Sequence, residues 1–416
     1  MSDAYPGDSA TLWPTPTDRA KTLAVDHPER LSSSVSGQRW RPVWPSNPWL
    51  ARLISPSSSA HADSGTLSGR GQYASGPGVT DGRPIGPTCR TLSATGPGFH
   101  IPIGSGGYAW WYLDAISDDA RWGLCIIAFL GSVFSPYYAS ARRRGAAQPL
   151  NHCAFNIVLS GPANRWCMTE RPLGRVQLKP EMLCIGPSSL SWDGREFVFE
   201  LRERCAPLPL AVRGTVRVRP SPQTQVVYAL DSNAHHVWLP LAPRARIEVR
   251  LQEPASHWCG DAYLDSNRGE RALERDFHGW HWSRASTHEA TTVFYDTLAR
   301  HEASAPLAVL FSSNDETPRS VPVPQRVALP PSAWGIARMA RSDEPGATQL
   351  IDTLVDAPFY ARSLLRTQLN SESVLTMHES LDLDRFSSAW VRCLLPFRMP
   401  RWRGRQCADP LRSDAN

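Results

Sequence analysis

The sequence predicts a mainly β protein built around an apolar interior, a β-barrel in preference to a sandwich. Short runs rich in β-branched and aromatic residues recur between residues 108 and 312, each bounded by Gly, Pro, Asn or Asp. Sixteen tryptophans supply broad apolar area with one polar edge, and 37 prolines punctuate the strands. Both architectures fit that spacing. A barrel suits a long apolar ligand better, because alternate residues of every strand can line one interior cavity.

Residues 1–98 read as a disordered extension, since Ser, Pro, Gly and Thr recur there without a sustained apolar period. The aromatic cluster Trp40 to Trp49 is its one candidate docking motif. Order is expected from Gly104-Ser105-Gly106-Gly107, a glycine run with no helix behind it and hence no phosphate loop. Tyr108 to Asp114 forms a strand with Tyr108, Trp110, Tyr112 and Asp114 on one face, and Trp122 to Phe134, apolar on both faces, completes a hairpin. Further strands are expected at 152–159, 165–169, 190–192, 197–201, 215–218, 246–251, 277–282, 291–298 and 307–312. After the proline-rich link Val321 to Pro331 the pattern becomes helical: Ala361 to Leu369, then Leu381, Leu383, Phe386, Trp390 and Leu394 at helix-like spacing. The expected organisation is an extension (1–98), a first β domain (99–252), a second (253–330), a short helical C-terminal segment (331–405) and a tail (406–416).

A net charge of +5 over 416 residues, with basic residues scattered, argues against nucleic acid. Nine cysteines without a C-x-x-C pair argue against a disulfide framework or structural zinc and fit a reducing compartment. No signal peptide opens the chain, and the longest apolar run, Gly123 to Phe134, is far short of a membrane span. His235, His236, His257, His278 and His281 lack any metal-ligand spacing; Gly-x-Ser-x-Gly is absent, and no Gly-x-Gly-x-x-Gly sits between strand and helix.

The chemistry is concentrated between His235 and Trp282. Period two puts His236 with Trp238, and Tyr263 with Asp265, on shared strand faces. A carboxyl group among aromatics costs several kcal/mol unless it is paired or keeps its proton. The set therefore points to acid catalysis on an apolar substrate. Trp110, Tyr112, Trp280 and Trp282 are expected to line the substrate site.

Several long motifs, Gly106 to Ala115, Ile127 to Tyr138, Pro149 to Cys153, Met168 to Arg171 and Leu394 to Pro400, resemble the carotenoid 1,2-hydratase (hydroxyneurosporene synthase) family over roughly residues 104–402. The resemblance implies a lipocalin-like β architecture and a cofactor-independent hydro-lyase that adds water to the terminal double bond of an acyclic carotenoid such as neurosporene or lycopene. The long N-terminal extension is a departure from the family.

That chemistry needs an acid to protonate carbon 2, aromatic faces to stabilise the tertiary cation at carbon 1, and a base to hold the attacking water. Asp265 is expected as the acid, Trp238 and Tyr263 as the aromatics and His236 as the base, with no metal or cofactor. Asp114 and Glu170 are the rival acids. The implied partners are the carotenoid, water, a membrane surface and other carotenoid-pathway enzymes. The expected location is cytoplasmic and peripheral to the membrane, with the basic tail Arg398 to Arg405 as a candidate lip. A lipocalin-like carrier that binds carotenoid or lipid without chemistry is the alternative. Such a carrier gains nothing from a buried acid.

Overall fold

The computed structural model describes residues 97–401 except 222, 223, 225, 288, 302–304 and 313–316. The Trp40 to Trp49 cluster, nearly all of the extension and the tail beyond Arg401 lie outside the described residues.

The first strands, β1 (Tyr108–Ser117), β2 (Gly123–Leu130), β3 (Ala154–Ser160) and β4 (Arg165–Met168), run as an antiparallel meander. A second meander follows: β5 (Val176–Lys179), β6 (Met182–Ile185), β7 (Ser188–Trp192), β8 (Phe197–Arg204) and β9 (Ala211–Pro220). The short β10 (Tyr228–Ala229) pairs with β11 (His236–Glu253), which forms a long hairpin with β12 (Ala255–Gly269). That hairpin joins the meanders, β11 to β9 and β12 to β1, into one curled half-barrel ordered β4-β3-β2-β1-β12-β11-β9-β8-β7-β6-β5. Residues 255–269 thus belong to the same sheet as β1.

A second antiparallel sheet comes from β13 (Phe277–Ser286), β14 (Ala290–Ala299), β15 (Leu307–Ser312) and β16 (Arg319–Ser320), completed by three later strands. Between them β17 (Gln325–Leu329) and β18 (Arg338–Ser342) pair as a separate ribbon. The completing strands are β19 (Gln349–Ala357), β20 (Tyr360–Leu369) and β21 (Glu372–Asp382), in the order β16-β15-β14-β13-β21-β20-β19. Helix α1 (Pro136–Arg143) starts at Ser135, whose Oγ accepts the Tyr138 N–H; α2 (Leu383–Ser387) and α3 (Ala389–Arg398) end the described chain.

The mainly β class is therefore as expected, whereas the helical character expected from residue 331 is confined to α2 and α3. Ala361 to Leu369 is strand β20, not helix. Residues 361–365 are all buried, three on one face and two on the other, so no alternation marks them as a strand. Strand β1 shows the same two-faced burial, and it explains the layering. Ala109, Trp111, Leu113 and Ala115 point into the hollow of the half-barrel with Leu124, Ile126 and Val216. Tyr108, Trp110 and Tyr112 point the other way and pack with Trp280, Trp282 and Tyr295 of the second sheet. A cavity lies in this second layer, between the sheets.

Candidate functional site

The cavity encloses about 960 Å³, including its open mouth, and its wall is predominantly aromatic and aliphatic. Four residues expected at the substrate site lie in this wall, Trp110 and Tyr112 from β1 and Trp280 and Trp282 from β13. They form one aromatic ladder. Trp110 stacks on Tyr108 at 4.9 Å and on Trp280 at 6.5 Å, while Tyr112 meets Trp282 edge-on at 5.5 Å. Tyr295 of β14 adds a further ring, 6.0 Å from Trp280.

Asp265 projects into this wall from β12, directly across from Tyr112 on β1. On its other side β11 slips register between Leu239 and Ala242, so the acid faces an irregular Pro240-Leu241 step instead of a regular partner. Its Oδ2 accepts two hydrogen bonds, from the Tyr263 hydroxyl at 2.7 Å and from Trp238 Nε1–H at 2.9 Å. Its Oδ1 is buried with no partner among the described residues. Burial pushes the carboxyl up from an ordinary 3.8 to about 7; the bonds from Tyr263 and Trp238 pull down and the charge of Glu379 pushes up. Because Oδ2 already accepts twice, the acid proton belongs on Oδ1.

Trp238 and Tyr263, expected to turn ring faces to a cation, instead point their N–H and O–H edges at Asp265, and neither lines the cavity. His236 is displaced further. It pairs with Gly269, four residues beyond Asp265, about 13 Å along a strand that rises about 3.3 Å per residue. A Cβ at position 269 would stand 2.4 Å from the Tyr108 ring and 2.6 Å from His236 Nδ1, so glycine makes room for that pair. Asp276, clamped by Arg271 at 2.6 and 2.7 Å, accepts from His236 Nε2–H at 2.9 Å; Nδ1 accepts the Tyr108 hydroxyl at 2.9 Å. Both nitrogens are occupied and the ring is fully buried away from the cavity, with its pKa held down by burial. The expected role of water-holding base does not fit this placement.

The rival acids are bound structurally. Asp114 takes Arg284 at 2.5 and 2.8 Å on one oxygen and Arg362 on the other. Glu170 accepts from Ser135, from His152 at 2.9 Å and from Arg401 at 2.6 Å, and its N–H bonds Pro400 O. That cluster ties the last described residues to the start of α1.

Sequence reasoning missed Glu379 and Arg362. Glu379 on β21 lies across from Trp282 on β13 and from Arg362 on β20, and both charged side chains reach the cavity. No periodic signal marked Glu379, which sits in the buried run Met377-His378-Glu379-Ser380-Leu381.

The family model for carotenoid hydratase CrtC matches residues 126–408, more than half of the chain. The chain belongs to the carotenoid hydratase family. All of Asp265, Trp238, Tyr263, Glu379 and Arg362 fall inside the matched stretch of this carotenoid hydratase. The acyclic carotenoid 1,2-hydratase of Thiocapsa roseopersicina is 47% identical over 396 residues, 94% of this chain and 97% of the relative, so most of the N-terminal extension, expected as a departure from the family, is shared with this relative. The enzyme of that name from Rubrivivax gelatinosus is 43% identical over 376 residues, 89% of this chain and 92% of the relative. Among solved structures, kievitone hydratase from Nectria haematococca overlays at a TM-score of 0.39 with 11% identity, over 69% of this chain and 95% of that one, a likeness too loose to bear on the site.

Proposed function

We propose that the protein is an acyclic carotenoid 1,2-hydratase, a hydro-lyase adding water across the terminal double bond of a substrate such as neurosporene or lycopene. The observation that carries this reading is Asp265: one oxygen held by two donors, the other alone in an aromatic cavity, and a pKa raised to about 7. A trisubstituted alkene is a poor base, so it needs a positioned acid that keeps its proton near neutrality. The alkene π pair takes the Asp265 proton at carbon 2 and leaves a tertiary cation at carbon 1. Trp282, Trp280 and Tyr295 line the same wall, and each ring facing the cation stabilises it by about 0.5 to 2 kcal/mol.

Trp238 and Tyr263 act through Asp265. They fix its orientation and stabilise the carboxylate left after proton transfer. His236 holds Tyr108, which stacks on the cavity residue Trp110, and is a packing element of the wall. The reaction is redox-neutral, so none of these steps calls for an electron carrier.

The substrate is insoluble in water and has to be drawn from a bilayer, so we place the protein at a membrane surface. No helix among the described residues is long and apolar enough to cross one. Phe397 on α3 is 71% exposed, and Met399, two residues on, lines the cavity, which supports this end as the approach route. High salt is expected to weaken attachment made through the neighbouring arginines.

Incubating the protein with lycopene or neurosporene in detergent, with a chelator, and weighing the carotenoid by mass spectrometry tests the function. Gain of one water in the wild type, and bound but unchanged carotenoid with Asp265→Asn, is the expected pair of results. Unchanged carotenoid with the wild type would favour the carrier reading, and turnover by Asp265→Asn would remove Asp265 as the acid.

A further inference from the structure

Protonation is only half of a hydration. The oxygen that bonds to carbon 1 must shed a proton, and a carboxyl group other than Asp265, which has just given its own proton at carbon 2, can take it without waiting on the acid. His236 is not within reach. The remaining polar groups of the cavity wall are few. Asn156 Oδ1 is taken by Trp166 Nε1–H at 2.7 Å, and Asn267 lies against the Tyr295 hydroxyl at 3.4 Å. Glu379 is the second carboxyl group of the wall, contributed by the opposite sheet.

Its surroundings differ from those of Asp265. Tyr112 O–H donates to Oε1 at 2.7 Å, the Tyr360 hydroxyl also hydrogen-bonds the carboxyl group, and Arg362 Nε stands 3.5 Å from Oε1. Arg362 is fully buried; its Nη2 is tied to Asp114, whereas Nε and Nη1 have no hydrogen-bond partner among the described residues. With Arg284, the buried group has two guanidinium ions against the carboxylates of Asp114 and Glu379. The cavity therefore has a buried N–H donor and a carboxylate side by side, across from an acid. That is the donor and acceptor pair a reacting water requires.

We propose that Arg362 and Glu379 seat the water that adds to carbon 1, with Glu379 as the catalytic base and Arg362 as a positioning residue. The inference rests on Asp265 as the acid. Arg362 Nη1–H donates to the water oxygen, and one water hydrogen points to the Glu379 carboxylate. The Asp265 proton and the alkene π pair form the C2–H bond. A water lone pair then forms the C1–O bond while the O–H bond toward Glu379 breaks and Glu379 takes the proton. Both carboxyl groups regain their starting states by proton exchange through water when the product leaves.

The test is Glu379→Gln in D2O, with hydration and deuterium content of the recovered carotenoid both followed by mass spectrometry. Gln keeps the shape and an oxygen for Tyr112. Hydration is expected to fall at least about 100-fold, in the range of a lost general base. Recovered substrate should nevertheless gain deuterium. The cation still forms and, without water capture, lives long enough to turn about its C2–C3 bond, so that the original hydrogen at carbon 2 goes to the Asp265 carboxylate and the deuterium stays. Hydration within about 3-fold of wild type, or joint loss of hydration and exchange in a variant that still binds carotenoid, overturns the proposal. Asp265→Asn should lose both signals; if it keeps exchange, the acid reading fails, while the Glu379→Gln signature is read independently of it. Glu379→Asp, which retains the carboxylate, should recover part of the hydration and show a ratio of exchange to hydration between those of wild type and Glu379→Gln. A ratio equal to wild type in a folded Glu379→Asp protein also overturns it.

Discussion

Replacing Asp265 by Asn should stabilise the protein above neutral pH while abolishing hydration. Asn is nearly isosteric with the protonated acid: its amide oxygen can accept the Tyr263 and Trp238 bonds, and its NH2 group takes the place of the proton-bearing Oδ1. The wild-type carboxyl is raised from 3.8 to about 7, chiefly by burial, so the native state binds this proton more tightly than the unfolded chain does. Its contribution is favourable below about pH 4, is lost progressively as the pH rises to about 7, and is constant above that. At about 1.4 kcal/mol for each pH unit crossed, the total loss is about 4 kcal/mol, of which about 3 kcal/mol falls between pH 5 and pH 8. Groups unchanged between the two proteins cancel in the comparison. Urea denaturation of both at pH 5 and pH 8 measures it, and the advantage of Asp265→Asn should grow by about 3 kcal/mol over that interval. An advantage that is the same at both pH values would refute the buried, proton-retaining acid.

On the proposed mechanism the same carboxyl must be protonated to act, so kcat/KM should fall about tenfold per pH unit above pH 7, which a pH–rate profile reads directly. Trp238→Phe removes one of two donors to a charged oxygen; at about 1.5 to 3 kcal/mol for such a bond, the profile should move up by one to two pH units, with carotenoid binding retained. Glu170→Ala leaves Arg401 and His152 without their shared carboxylate and should cost about 3 kcal/mol in a thermal or urea melt, with turnover per folded molecule unchanged.

What could be read from the chain follows the range of the interactions involved. Alternation is local, so the strand faces were legible: His236, Trp238, Tyr263 and Asp265 do share the face that looks toward the second sheet. Distance along that face was not. Register and the slip at Pro240-Leu241 decide that Trp238 reaches Asp265 while His236, opposite Gly269, does not. Only a tertiary partner converts a buried polar residue into a structural or a reactive one. Asp114 and Asp265 look alike in sequence, each closing a Tyr-Leu-Asp step, yet Asp114 meets two arginines from the second sheet and Asp265 meets neutral donors from its own. Those arginines, Arg284 and Arg362, lie 170 and 248 residues from Asp114, beyond the reach of any local pattern. Glu379 was hidden for the same reason, because β20 and β21 are buried on both faces and a lone carboxylate there carries no periodic signature.

Division of labour between the sheets follows from this arrangement. On the proposed mechanism one carboxyl group gives a proton and the other takes one, and the surroundings that serve either task differ. The half-barrel holds Asp265 among neutral donors and apolar rings; Glu379, on the second sheet, accepts from the Tyr112 hydroxyl and also stands 3.5 Å from the Arg362 guanidinium. Removing the charge of Glu379 would also lower the pKa of Asp265, since that charge is one of the influences raising it. The pH–rate profile of the residual hydration in Glu379→Gln should therefore break at a lower pH than the wild type. A break at an unchanged pH would mean that the two carboxyl groups are not coupled through the cavity they both line.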